Sequence, residues 1–140
     1  MKTFLVSLLT IIVSINGEVR TENQNMKIEY EITSGSVNSF TSDTNTTSLI
    51  INTTVQEDGS LKVILPRNII DSTHEEQDDI FYILIDGEEV IHTETIDEDK
   101  RTLIISYTKG SRQVEIIGTS TINELVTIEE DLALATMIRI

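Results

Sequence analysis

The stretch Lys27-Ile28-Glu29-Tyr30-Glu31-Ile32-Thr33 decides the fold. Ile28, Tyr30 and Ile32 fall on one side of an extended chain, and Lys27, Glu29, Glu31 and Thr33 on the other. A period of two over seven residues marks a strand with one face in a core and one in water. The same period returns downstream. Leu49, Ile51 and Val55 share a face within Ser48–Val55, with Asn52 and Thr54 opposite. Leu61, Val63 and Leu65 do the same before Pro66, and Leu103, Ile105 and Tyr107 do so within Thr102–Tyr107. Val37 and Phe40 sit at odd spacing, which predicts a less regular strand with a bulge or a bend.

Turn chemistry separates these runs. Ser34-Gly35, Asp58-Gly59, Asp86-Gly87 and Lys109-Gly110 read as tight turns, the second and third as hairpins. Thr41–Thr47 is wholly Ser, Thr, Asp and Asn and predicts an exposed loop, and Ser72–Asp79 predicts a polar, acidic one. Ile80–Ile85 is apolar throughout, which predicts a strand buried on both faces or central in a sheet. Glu88–Ile96 and Arg112–Ile117 complete about eight short strands. No stretch of the body has an apolar period of 3.6. The expected fold is therefore all-β, an antiparallel two-sheet sandwich of immunoglobulin-like architecture, with a small β-barrel as the alternative. Its core should hold Ile28, Tyr30, Ile32, Leu49, Ile51, Leu61, Val63, Leu65, Phe81, Ile83, Leu103, Ile105, Val114 and Ile116.

Composition narrows function. The chain has 140 residues, enough for one domain, and 39% of them are hydrophobic, too many for a disordered chain. It contains no Cys, so neither a disulfide framework nor a thiolate site is available. The net charge of −14 comes from 10 basic and 24 acidic residues. Nucleic acid is excluded as a partner, because phosphate binding needs a basic patch and the Lys and Arg are scattered.

The N-terminus reads as a secretory leader. Lys2 supplies charge, Phe4–Ile15 is an apolar run, and Gly17 is a small residue before polar Glu18, Arg20, Thr21 and Glu22. The run is too short to span a bilayer, which takes about 20 residues. The division that follows is a signal peptide over 1–17, a flexible arm over 18–25, the sandwich over 26–119 and a tail over 120–140. Localisation should be extracytoplasmic, secreted or at the cell surface.

Several stretches together resemble the small exported domains of archaeal proteins that end in a PEFG-CTERM sorting signal. They are Val37-Asn38-Ser39-Phe40, Glu57-Asp58-Gly59-Ser60-Leu61, Leu65-Pro66-Arg67-Asn68-Ile69-Ile70-Asp71, Asp86-Gly87-Glu88-Glu89 and Val114-Glu115-Ile116-Ile117-Gly118-Thr119. The resemblance spans about Met26 to Thr119 and implies a cell-surface or extracellular protein. The tail departs from it. Ile122-Asn123-Glu124-Leu125-Val126 keeps only the Glu of the signal, and Glu129-Glu130-Asp131 interrupts the apolar run that follows. Leu132–Ile140 is too short to span, so membrane anchoring does not follow. The tail reads as a degenerate sorting signal, a short helix or an extra strand.

Candidate sites are few. Asp71, Glu75, Glu76, Asp78 and Asp79 could offer loop carboxylates to Ca²⁺, although their spacing is not that of an EF-hand. Asn45 and Asn52 each begin a glycosylation sequon. His74 and His92 lack zinc-hydrolase spacing, and no serine sits in a nucleophile elbow. With catalytic residues none and cofactors none beyond Ca²⁺, the expectation is an exported structural or interaction module that touches envelope or matrix components. The alternative is an exported domain that binds a cation or small ligand.

Overall fold

The computed structural model describes residues 9–21, 25–122 and 127–139. Lys2 and Phe4 of the leader, residues 22–24 of the arm and residues 123–126 of the tail lie outside the described residues. Along the chain the strands are β1 (Leu9–Arg20), β2 (Lys27–Thr33), β3 (Gly35–Asp43), β4 (Ser48–Val55), β5 (Gly59–Pro66), β6 (Ile70–Asp71), β7 (Thr73–His74) and β8 (Gln77–Asp78). They continue as β9 (Tyr82–Ile85), β10 (Glu88–Glu89), β11 (His92–Ile96), β12 (Lys100–Tyr107), β13 (Gln113–Ile117), β14 (Ser120–Thr121) and β15 (Thr127–Arg139).

Two antiparallel sheets form the sandwich. The first has the order β11-β12-β5-β2-β1-β15 and the second β10-β9-β13-β4-β3. Two pairs of two-residue strands, β14 with β6 and β7 with β8, sit outside them. Among the described residues no barrel closes. All fourteen expected core residues are buried, at 4% exposure or less. Val19, Val37, Phe40, Val55, Ile69, Ile70 and Tyr107 join them. The irregular spacing of Val37 and Phe40 is resolved by a register shift between Val37 and Ser39 against β4. The bulge lets both side chains reach the same core.

The eleven strands of the two sheets exceed the expected eight for three reasons. Glu88–Ile96 is not one strand: Glu88–Glu89 pairs with β9 in the second sheet, and His92–Ile96 pairs with β12 in the first. The chain changes sheets at Val90–Ile91. The other two additions are β1 and β15 at the ends of the chain.

Asp58-Gly59 is a correction of another kind. Its flanking strands are as expected, but β4 belongs to the second sheet and β5 to the first, so no hairpin joins them. Both apolar faces need the same core, and placing them on facing layers lets them interdigitate. The Asp58 carboxylate accepts the Lys109 N–H at 2.7 Å, and the Gly110 N–H donates to the Val55 carbonyl at 3.1 Å. The β4–β5 crossing is thereby tied to the β12–β13 crossing. Asp86-Gly87 does form a tight hairpin turn, with φ of 50° and 86°, the left-handed pair that such turns require.

Ile80–Ile85 is not buried on both faces. Phe81 and Ile83 face the core at 1% and 0% exposure, while Ile80 and Tyr82 stand in water. The polar stretches also tighten. β3 runs to Asp43, leaving a short turn at Thr44–Thr47, and β7 and β8 fold the acidic loop into a small hairpin with Glu75 and Glu76 at positive φ.

The ends of the chain differ most from expectation. β1 pairs with β2 over Ser14–Arg20 and with β15 along its length. The tail is thus the extra strand among its three readings. The arm expected over 18–25 is ordered in its first part. Glu18–Arg20 end β1 with Val19 in the core, and Thr21 closes a turn through its N–H to the Met26 carbonyl at 2.9 Å. Gly17 lies opposite Tyr30, where any Cβ would overlap the phenol ring. That ring is 4% exposed and tilted against Phe40 at 5.2 Å, so it has little room to move. A small residue at 17 thus has a packing reason of its own, beside the processing one expected from the sequence.

Gly17→Ala separates the two, because Ala suits a signal peptidase as well as Gly does. The unprocessed chain should lose about 1–3 kcal/mol in thermal melts through overpacking. A mature product beginning at Glu18 should melt as before. An unprocessed variant that melts like the parent would remove β1 from the sheet.

Candidate functional site

The alternation of β12 places Arg101, Leu103, Ile105 and Tyr107 inward. Arg101 is the largest side chain among the fully buried ones, at 0% exposure. The neighbouring β11 is registered so that Ile96 lies opposite Arg101, Glu94 opposite Leu103 and His92 opposite Ile105. Two strands at one side of the sandwich therefore point a guanidinium, a carboxylate and an imidazole into the interior.

They are paired there. Arg101 Nη1 donates to Glu94 Oε2 at 3.0 Å, and Arg101 Nη2 lies 3.0 Å from Asp71 Oδ1. Nη2 also donates to the Ser72 carbonyl at 2.6 Å, and Nη1 to the Asp79 carbonyl. The guanidinium lies 5.1 Å from the centre of the Phe81 ring, a cation–π distance. Glu94 Oε1 accepts the Phe81 N–H at 3.2 Å and lies 2.9 Å from His92 Nε2. Arg67 extends the network, with Nε 3.1 Å from Asp71 Oδ2 and Nη2 bonded to Asp78. Arg101 Nη2 also lies 3.4 Å from Asp78 Oδ1, so two cations hold the same two aspartates.

This geometry divides the five acidic residues offered to a cation. Asp71 and Asp78 face arginines. Asp79 uses Oδ1 to accept the Ile80 N–H at 2.9 Å and its carbonyl to accept Arg101. Glu75 and Glu76 stand exposed at the turn of the small hairpin. Among the described residues no three His, Cys, Asp or Glu side chains form a group that could hold a metal ion. The acidic hairpin is instead clipped to the sandwich, since Arg101 binds carbonyls at both of its ends. Its own closure adds the Asp79 N–H to the Ser72 carbonyl at 3.0 Å and Ser72 Oγ to the Ile80 carbonyl at 3.0 Å.

The Arg67 bond holds the Asp78 carboxyl below the usual carboxylate range, and Asp78 raises the Arg67 guanidinium in turn. On the opposite layer, the bond to Glu89 pushes the Tyr82 phenol up. Burial pushes Tyr107 up, against the opposing effect of the bond it donates to the Thr33 carbonyl.

The two sequons have different surroundings. Asn45 is exposed in the Thr44–Thr47 turn, while Thr47 Oγ1 donates to the Gly118 carbonyl at 2.7 Å. Asn52 lies mid-sheet between β3 and β13, with Nδ2 donating to Ser39 Oγ at 2.8 Å. Its acceptor nitrogen is engaged in the folded chain. His74 is on the surface beside Glu75, at 3.9 Å.

The Arg101 network was missed as a site, although a signal for it exists. Stepping back by two from Leu103 along the alternation lands on Arg101, a charge at an inward position. An inward charge needs a partner.

Arg101→Met should cost about 3–5 kcal/mol in chemical denaturation, because Glu94 and Asp71 lose their buried counter-charge. Adding Glu94→Gln should recover part of it. A loss under about 1 kcal/mol, the size of a surface pair, would show that the network carries nothing. Acid provides a second check through Asp78. Its folded pKa lies below the unfolded value near 3.9, so the unfolded chain takes up the proton first as pH falls. The stabilisation is present above that value and is lost as pH drops through the folded pKa. Melting temperature should therefore fall less steeply with acid in Asp78→Asn than in the parent, and parallel curves would exclude the Asp78–Arg67 bond.

Comparison with protein-family models, with curated proteins and with solved structures finds no match to this chain.

Proposed function

We propose that the chain is an exported interaction or structural module of the cell surface or extracellular space, without catalytic turnover. The observation that carries this reading is the way its polar groups are spent. Catalysis draws on convergent titratable groups held in a concave, water-limited site. Here the inward charges of Arg101, Glu94 and Asp71 are consumed in binding one another and the acidic hairpin. The shifts at Arg67, Asp78, Tyr82 and Tyr107 each come from a structural partner or from burial. What faces water is the outer side of the two sheets, a surface open to macromolecular contact.

Export rests on the order of charge, apolar run and small residue up to Gly17, and on the acidic, cysteine-free composition. The same resemblance that implies a surface location adds to it. Glycosylation on the exposed side belongs to Asn45 in this reading, since its turn projects from the sandwich.

Fractionating cells that express the full chain tests the proposal. The protein should be recovered outside the cytoplasm, beginning near Glu18 by N-terminal sequencing. A soluble cytoplasmic pool that retains Met1 would end the export reading. A cation arm runs beside it: Ca²⁺ should leave the amide spectrum of Glu75–Asp79 unchanged, and a saturable shift there would favour a cation-binding domain instead.

A further inference from the structure

The three most exposed large apolar side chains described are Ile91 at 93%, Ile80 at 68% and Tyr82 at 48%. They are far apart in neither sequence nor space. Tyr82 lies opposite Ile117 of β13. The β9–β10 register pairs Glu88 with Ile85 and Glu89 with Leu84, and the Val90 N–H continues it to the Ile83 carbonyl at 3.0 Å. Carried one residue further, the same register would set Ile91 beside Tyr82, at the point where the chain leaves for the first sheet. Ile80, Tyr82 and Leu84 share the outward parity, because Phe81 and Ile83 face the core. On the neighbouring strands, Leu84 is flanked by Glu89 and Glu115, and Glu115 by Ile50. The outer side of β10, β9, β13 and β4 therefore carries an apolar row, Ile91–Tyr82–Ile117, beside a mixed row, Glu89–Leu84–Glu115–Ile50.

Charge on this layer is one-sided. The five strands of the second sheet, β3, β4, β9, β10 and β13, contain no Lys or Arg. They contain Glu89 and Glu115 beside the apolar row, while Glu88, opposite Ile85, turns to the other side. The first sheet, by contrast, carries Arg20, Lys27, Lys62, Lys100 and Arg101 in its strands. Contiguous apolar side chains on a sheet face ask for a cover. The acids around them, with no local cation, select which cover.

We propose that the outer face of β9, β10 and β13 is a docking surface for a basic polypeptide segment with interleaved aliphatic side chains. The aliphatic groups would cover Ile91, Tyr82, Ile80 and Ile117, and the Lys or Arg would reach Glu89 and Glu115. Tyr82 holds its hydroxyl on Glu89 at 3.1 Å, which leaves the ring face to the partner. A second copy of this chain is the wrong occupant, since face-to-face packing would set these carboxylates against their own kind in a chain of net charge −14. The inference deepens the interaction-module reading and names the chemistry of its partner.

The test uses the full chain, isotope-labelled, and a short synthetic peptide of alternating lysine and valine. Amide shifts should centre on Tyr82, Leu84, Ile91 and Ile117. Affinity should weaken by about tenfold or more in Ile91→Ser/Tyr82→Ser, as expected when central anchors are lost. Both side chains are exposed, so an unchanged melting temperature certifies the variant. Glu89→Gln/Glu115→Gln should flatten the dependence of binding on salt. The proposal is overturned by no saturable binding, by equal binding of a glutamate–valine peptide, or by shifts centred on Glu75–Asp79. It is equally overturned if the free chain self-associates and Ile91→Ser abolishes this, which would give the face to a second copy. Peptide binding by a protein that stays in the cytoplasm would refute export alone, leaving the docking surface standing.

Discussion

A single buried guanidinium organises one side of this sandwich. Arg101 occupies an inward position where the rest of its strand supplies Leu103, Ile105 and Tyr107. A charge there, unpaired, would cost several kcal/mol in desolvation. The chain answers with Glu94 from the next strand, Asp71 from β6 and two carbonyls at the ends of the acidic hairpin. The partners come from Asp71–Ser72, from Asp79 and from Glu94, so satisfying the arginine fixes where both ends of the acidic hairpin and β11 go. The β5–β9 connection, polar from Asp71 to Asp79 between Ile70 and Ile80, is held there by this requirement. Arg67 then shares Asp71 and Asp78 with Arg101 and keeps the hairpin from opening outward.

The same arrangement protects an edge. β11 closes the first sheet on one side, and edge strands invite pairing with other chains. Inward-pointing charge on such a strand makes a misregistered partner expensive, because slipping by one residue would carry Glu94 and His92 from their partners to the other face. The second sheet has less of this protection at β10, which is two residues long. The outward face beside it also carries the most exposed large apolar side chains among the described residues. The two layers thus differ in kind: one buries a cation and mixes its surface signs, and the other has no Lys or Arg in its strands.

Much of the fold was legible because alternation is a local signal. Every inward residue of β2, β4, β5, β12 and β13 follows from parity alone, and so does the bulge at Val37. Which sheet a strand joins is a different matter. Asp58-Gly59 has the composition of a hairpin turn, yet the strands it joins face each other across the core. A turn signal reports that the chain reverses, without saying whether it reverses within a layer or between layers. Ile80–Ile85 misled for a related reason. Six apolar residues in a row read as burial on both sides, but the outward half of them lies on exposed surface. Apolar character at Ile80 and Tyr82 therefore needs an explanation other than the core.

The acidic residues show why a candidate site was harder to read than a core. In sequence, Asp71, Glu75, Glu76, Asp78 and Asp79 look like one cluster with one purpose. In space, cations from β12 and the end of β5 divide them, so that two carboxylates are structural, one caps its own loop and two meet water. Local density of a charge type gives no information on which counter-charge will arrive from elsewhere in the chain. Parity does give some. A lone Arg at an inward position announces a need for acid, and the nearest inward acid on the paired strand is Glu94. Long-range electrostatic partners become readable once strand pairing is known, and strand pairing is the part of this fold that the local pattern leaves open.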